Sequence, residues 1–150
     1  MAVEVSVLKQ LRERTDASVG ACKDALEKAQ GDIDKAAELL RSEGSRIAEK
    51  KSARETGIGI VEAYVHTTQR LGALLELRSE TDFVARNAEF QKLAHNIAMH
   101  VTAAGPQNVE ELLAQPYIRD ESKTIQDVVN ESIARFGENI QIARFSRFEI

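Results

Sequence analysis

Between Ser79 and Asn87 the spacing of hydrophobic residues changes from a period of two to a period of about 3.6, and few chain paths satisfy both. Before the change, Leu71, Ala73, Leu75 and Leu77 alternate as on one face of a strand. After it, Phe90, Leu93, Ala94, Ile97, Ala98 and Val101 recur at helical spacing, behind the helix-capping residue type at Asn87. The intervening run, Ser79-Glu80-Thr81-Asp82-Phe83-Val84-Ala85-Arg86-Asn87, is where a strand hands over to helix. Such a corner can hold an acid and an aromatic side by side on a rigid mount. Taken on its residues alone, it reads as a capped turn whose Phe83 belongs to the core, the commoner place for a large aromatic.

Residues 1–44 read as three short helices. Val7, Leu8 and Leu11 form one apolar stripe, ending near Arg14. Ser18 caps a second helix with Val19, Cys22, Ala25, Leu26 and Ala29 inward, and Gly31 suits its C-terminal exit. Asp32 caps a third, with Ile33, Ala36, Ala37 and Leu40 inward and a stop at Gly44. Small alanines on facing stripes let short helices approach closely, and the pattern resembles ubiquitin-associated domains. So small a core predicts marginal stability for the module alone. Residues 45–56 carry Arg46, Lys50, Lys51 and Arg54, interrupted by Glu49 and Glu55. They read as a charged, solvated and partly helical linker rather than a phosphate-binding patch, because the acids break the positive field.

Residues 57–150 read as an α+β core domain. A β-rich run over 57–66, a turn at 67–69 and a second arm over 70–78 make an antiparallel hairpin. A long helix then runs from Asn87 to Gly105-Pro106, followed by a short one at 109–114. Ile125, Val128, Val129, Ile133 and Phe136 describe another amphipathic helix, closed by Gly137. Residues 140–150 read as the final strand, whose alternation slips between Ile142 and Phe145, the mark of a bulge or of two-sided burial. The fold class is therefore α+β: a three-helix bundle, a linker, and a three-stranded antiparallel sheet covered by helices.

Several function classes find little support. With 43% hydrophobic and 29% charged residues, the composition is that of an ordinary soluble globular chain. A net charge of −4 argues against direct nucleic-acid binding. No apolar run approaches the ~20 residues of a membrane span, and no secretory or transit peptide is recognisable, so the expected location is the cytoplasm. The single cysteine, Cys22, excludes an intrachain disulfide, fits a reducing compartment and sits on the apolar side of a helix as a small core residue. Gly57-Ile58-Gly59 lacks the third glycine of a dinucleotide loop, and no glycine–lysine phosphate loop occurs, so no cofactor and no GTP site is expected. His95 and His100 stand about 140° apart around a helix, poor geometry for one metal ion. His66 reads as a strand residue near the hairpin turn. Glu76 and Glu80 can be imagined as paired carboxylates, but solvated or capping roles are commoner. What the residues leave open is an interaction protein, an adaptor for ubiquitin-like or nascent-chain partners, a small metabolic enzyme, or an RNA binder acting through residues 45–56.

A resemblance narrows these. The run around Thr81-Asp82-Phe83-Val84 is similar to the signature of the bacterial elongation factor Ts family, exchange factors for the GTPase elongation factor Tu. Leu8-Lys9-Gln10-Leu11-Arg12-Glu13-Arg14-Thr15, Cys22-Lys23-Asp24-Ala25-Leu26 and Gly31-Asp32-Ile33 resemble its N-terminal module. Tyr64-Val65-His66 and Glu76-Leu77 resemble its core, and Gly137-Glu138-Asn139-Ile140 with Arg144-Phe145-Ser146-Arg147-Phe148-Glu149 its closing strand. The resemblance implies a guanine-nucleotide exchange factor, not an enzyme, that binds elongation factor Tu, promotes GDP release by disturbing the Mg²⁺ and phosphate site, and allows GTP reloading. It implies that Phe83 inserts between helices of the GTPase domain while Asp82 perturbs the magnesium neighbourhood, with Thr81 and Val84 holding the turn. Arg12, Val19, Gly20 and Lys23 fall where the N-terminal module docks. The family's usual Gly-Ala-Gly-Met-Met-Asp-Cys stands here as Asp16-Ala17-Ser18-Val19-Gly20-Ala21-Cys22, so Val19 and Gly20 replace two methionines and their flexible apolar contact. Ser79 replaces the usual cysteine before the motif, and an insertion of longer members is missing near Gln115-Pro116-Tyr117. Such a shortened form is expected to compensate by homodimerising through its final strand.

Overall fold

Capping residues and hydrophobic period set the element order of the computed structural model, which describes residues 2–150. The order is α1 (Val5–Thr15), α2 (Val19–Lys28), α3 (Ile33–Lys51), β1 (Ile58–Val65), β2 (Leu71–Ser79), α4 (Asp82–Ala85), α5 (Ala88–Ala104), α6 (Val109–Ala114), β3 (Pro116–Tyr117), β4 (Asp120–Thr124), α7 (Ile125–Phe136) and β5 (Gln141–Glu149). These elements form two compact units. One holds the residues through Ser52 together with Asn130–Gly137; the other holds Ala53–Val129 and Glu138–Ile150.

In the first unit, Ser18 Oγ accepts the Ala21 N–H at 3.1 Å, and Asp32 Oδ1 accepts those of Asp34 and Lys35 at 3.0 and 3.1 Å. Each cap satisfies helix-end donors and is worth about 1 kcal/mol. The left-handed residue that ends α2 is Gln30, at φ 54°, whose N–H reaches the Glu27 carbonyl at 3.2 Å; Gly31, one residue further on at φ +83°, completes the cap with its N–H on the Leu26 carbonyl at 2.9 Å. Leu11, Cys22, Ala25, Leu26 and Ala36 form the small core between the three helices.

The expected stop at Gly44 does not occur. Helix α3 runs on to Lys51, through much of the segment read as a linker. An interior glycine costs a helix only about 1 kcal/mol relative to alanine, and packing outweighs that. Gly44 is buried, and a Cβ built on it would lie 3.7 Å from the carbonyl oxygen of Asn130 in α7. The glycine therefore marks a close approach between two helices, not a helix end. Ala48, one turn on, is also buried, and the charges that suggested a linker line the outside, where Glu43 pairs with Arg46.

In the second unit, β1, β2 and β5 make an antiparallel sheet with β2 in the centre. Ala73, Leu75 and Leu77 point to one face, where α5 covers them with Phe90, Leu93, Ile97 and Val101. The other face carries Val61, Val65, Leu74 and Phe148, all exposed. The bulge expected near the C-terminus is present: Glu76 pairs with Arg144 and Leu77 with Ile142, so Ala143 is the extra residue. It returns both Ile142 and Phe145 to the covered face, which explains the slipped alternation.

The β3–β4 hairpin has no counterpart in the sequence reading, because a two-residue strand is too short to show a period. Thr124 and Asp127 then cap α7 reciprocally, Asp127 N–H to Thr124 Oγ1 at 3.1 Å and Thr124 N–H to Asp127 Oδ2 at 2.9 Å. Fully buried His100, on α5, pins this region. Its Nε2–H donates to Gln115 Oε1 at 2.9 Å, and its Nδ1 accepts the Ile118 N–H at 3.2 Å. Acceptance at Nδ1 requires the neutral ring.

Burial pushes the His100 pKa below its ordinary value of 6.5, with the Gln115 hydrogen bond opposing in part. Below 6.5 the unfolded chain therefore binds a proton that the folded chain resists. The stability this neutral ring contributes is complete above that pH and is lost as pH falls toward the folded value. Urea melts between about pH 8 and about pH 5 should show stability falling with acid, and His100→Gln should flatten that dependence.

Candidate functional site

The 81–84 turn is fixed from three directions. Thr81 is extended (φ −125°, ψ 155°), and its side chain caps α4 by accepting the Val84 N–H at 3.4 Å. Its carbonyl accepts the hydroxyl of fully buried Ser79 at 2.9 Å. Its N–H donates to Glu138 Oε1 at 3.0 Å, as does the Glu80 N–H at 3.2 Å, while its hydroxyl donates to Glu138 Oε2 at 2.7 Å. Glu80 returns the link. Its Oε1 accepts the Asn139 N–H at 2.8 Å and lies 3.5 Å from Arg54, whose carbonyl accepts from the Asn139 side chain at 2.9 Å.

Helix α4 is a single turn, so it has room for only one inward pair. Val84 and Ala85 take it, both nearly fully buried. Asp82 and Phe83 are thereby turned outward. Phe83 is 85% exposed, which overturns the core role that its residue type alone suggested. Asp82 meets Arg86 one turn later, at 2.7 Å, in an exposed i,i+4 pair worth a few tenths of a kcal/mol at most. The corner displays an aromatic ring and a carboxylate on a mount whose backbone is held by buried or half-buried partners.

Arg12, Val19, Gly20 and Lys23 belong to the first unit. All are exposed. Val19, Gly20 and Lys23 share one face of α2 by their spacing, while Arg12 lies on α1. Cys22 is buried, and desolvation raises its thiol pKa despite Thr15 and Arg12, which suits a packing role rather than a reactive one.

The two glutamates considered as an acid pair go to different cations. Glu76 is held between Arg78 at 2.6 Å and Arg144 at 2.9 Å, Arg78 being the stronger of the two in lowering its pKa, while Glu80 belongs to the brace above. Among the described residues there is no cluster of three or more His, Cys, Asp or Glu arranged to hold a metal ion, and no helix is long and apolar enough to cross a membrane. Glu138, which the sequence singles out only within the run resembling the family's closing strand, is the candidate-site neighbour whose place beside Thr81 residue patterns missed. It lies 57 residues from Thr81, and no local period links the two.

Comparison with known proteins decides the family. The chain is 40% identical to elongation factor Ts of Thermotoga neapolitana and 39% identical to that of Thermotoga maritima, over all of this chain and 98% and 97% of those relatives. The chain belongs to the elongation factor Ts family. The family described as "Elongation factor TS" is matched over residues 80–150, a span that begins at Glu80 of the brace and includes Glu138. Elongation factor Ts of Trichlorobacter lovleyi is 45% identical over 99% of this chain but only 48% of its own length. The Thermotoga neapolitana alignment runs over 193 positions against 150 residues here, so that elongation factor Ts carries internal segments without a counterpart in this chain.

Proposed function

We propose that this chain is a cytoplasmic guanine-nucleotide exchange factor for elongation factor Tu, acting in translation elongation. In this reading the 81–84 turn is the wedge. Phe83 inserts into the GTPase domain, Asp82 disturbs the Mg²⁺ neighbourhood, and Thr81 and Val84 keep the turn in shape. Arg12, Val19, Gly20 and Lys23 dock separately. The observation that carries the reading is the 85% exposure of Phe83 on a turn whose entrance is held by Glu138 and Ser79, joined to family membership.

The physics is differential binding. A P-loop GTPase holds GDP through its phosphate loop and Mg²⁺. A wedge that fits only the nucleotide-free form must weaken nucleotide affinity by the same factor that nucleotide weakens the wedge. No bond is made or broken, so no catalytic acid, base, metal or cofactor of this chain's own is required. A single exposed aromatic on a rigid support matches the anchor residues that dominate protein interfaces, and its preorganisation lowers the entropic cost of docking.

A second copy of the chain is the other proposed partner. Among the described residues β5 pairs with β2 alone, leaving its outer edge open, and Phe148 and Ile150 near that edge are exposed.

Stopped-flow release of fluorescent GDP from elongation factor Tu tests the exchange. The chain should accelerate release, and Phe83→Ala and Asp82→Ala should each remove about tenfold or more of that acceleration. Unchanged release in the presence of the native chain would overturn the proposal. Self-association is read by light scattering at micromolar concentration, where a dimer mass is expected and a monomer mass rejects it.

A further inference from the structure

We propose that Glu138 is a positioning residue for exchange: an acceptor clamp that sets the direction in which α4 presents Asp82 and Phe83. The proposal rests on the exchange reading above and adds to it a residue that need not touch the partner at all.

A one-turn helix has almost no stability of its own, because a helical nucleus is unfavourable and is offset only by further turns or by packing. The direction of α4 is therefore set by whatever holds its two ends. At the exit, Val84 and Ala85 are buried. At the entrance, the Glu138 carboxylate takes three hydrogen bonds from two consecutive residues: the Glu80 N–H, the Thr81 N–H and the Thr81 hydroxyl. Hydrogen bonds to an ionised carboxylate are about twice as strong as neutral ones. Two consecutive backbone donors and one side-chain donor fix both the position of Thr81 and its rotation.

The clamp is also reciprocal. Glu80, beside Thr81, accepts the N–H of Asn139, beside Glu138. Residues 80–81 and 138–139 thus hold each other through side chain and backbone in both directions, tying the exit of β2 to the entry of β5. Glu138 itself is half-buried, whereas Phe83 and Asp82 are exposed. The anchor and its holder are separate residues with separate roles. Without the clamp the ring of Phe83 would still be present, but it would sample directions that do not fit a preformed cleft, and misplacement of an anchor by about 1 Å can cost up to about a hundredfold in rate.

The test is GDP release from elongation factor Tu, together with affinity for its nucleotide-free form so that weak variants stay measurable, using the native chain, Glu138→Ala, Glu138→Gln, Phe83→Ala and the Phe83→Ala/Glu138→Ala double variant. Glu138→Ala should lose about tenfold in acceleration. Glu138→Gln should stay within about threefold of native, because its carbonyl can still accept the backbone N–H groups and its amide can donate to Thr81 Oγ1. In the Phe83→Ala background, removing Glu138 should cost clearly less in release and affinity than it does in the native chain, since only Asp82 is left to aim. A native rate for Glu138→Ala overturns the clamp while leaving the exchange reading intact. An equal loss with and without Phe83, or no recovery by Gln, assigns Glu138 to general stability and also overturns it. No acceleration by the native chain would instead remove the exchange reading itself. Should Glu138→Ala be unfolded at the assay temperature, Glu138→Asp, one methylene shorter at the same charge, decides: a Phe83-dependent loss supports the clamp and a native rate overturns it.

Discussion

The central strand β2 is the constraint on which the rest of the second unit depends. It is paired along both edges, and its covered face buries Leu75 and Leu77 completely beneath Phe90 and Ile97 of α5, which are also fully buried. Each such side chain contributes about 1.5–3 kcal/mol by leaving water. A strand held on both edges and one face cannot slide, because a slip of one residue would turn Leu75 and Leu77 to the open side. Ser79 ends that strand, and the display turn begins two residues later. The turn inherits its precision from the sheet.

Much of this was readable in the sequence because it is written in short-range patterns. The alternation of Leu71 to Leu77, the helical stripe from Phe90 to Val101, and the caps at Ser18, Asp32 and Asn87 each depend on residues within a turn or two of one another. The slipped alternation at Ile142 to Phe145 even carried the bulge. What failed did so where a distant contact outweighed a local signal. Gly44 looks like a helix stop until the backbone of Asn130 is seen against it. The β3–β4 hairpin is too short for any period, and Phe83 has the residue type of a core position but sits on a helix with no inner face left for it.

The candidate site divides in the same way. Asp82 and Phe83 stand out in the sequence by resemblance, and their exposure fits an interaction surface better than a core. The partners that hold them were not legible, because Glu138 and Asn139 come from 57 to 59 residues further along the chain. A residue that acts through hydrogen bonds to another segment's backbone leaves no pattern in composition or spacing. The supporting shell of such a site is visible only in three dimensions, and here it consists of a serine hydroxyl, a carboxylate clamp and its reciprocal glutamate.

The proposed wedge would gain its effect from choosing one state of its partner over another, so the most direct measurement is a pair of affinities. The chain should be titrated, by calorimetry, into nucleotide-free elongation factor Tu and into the same protein saturated with GDP and Mg²⁺. Binding at least about a hundredfold tighter to the nucleotide-free form is expected, with GDP affinity reduced by the same factor in the complex. Equal affinity for the two forms would contradict exchange, however tightly the chain bound.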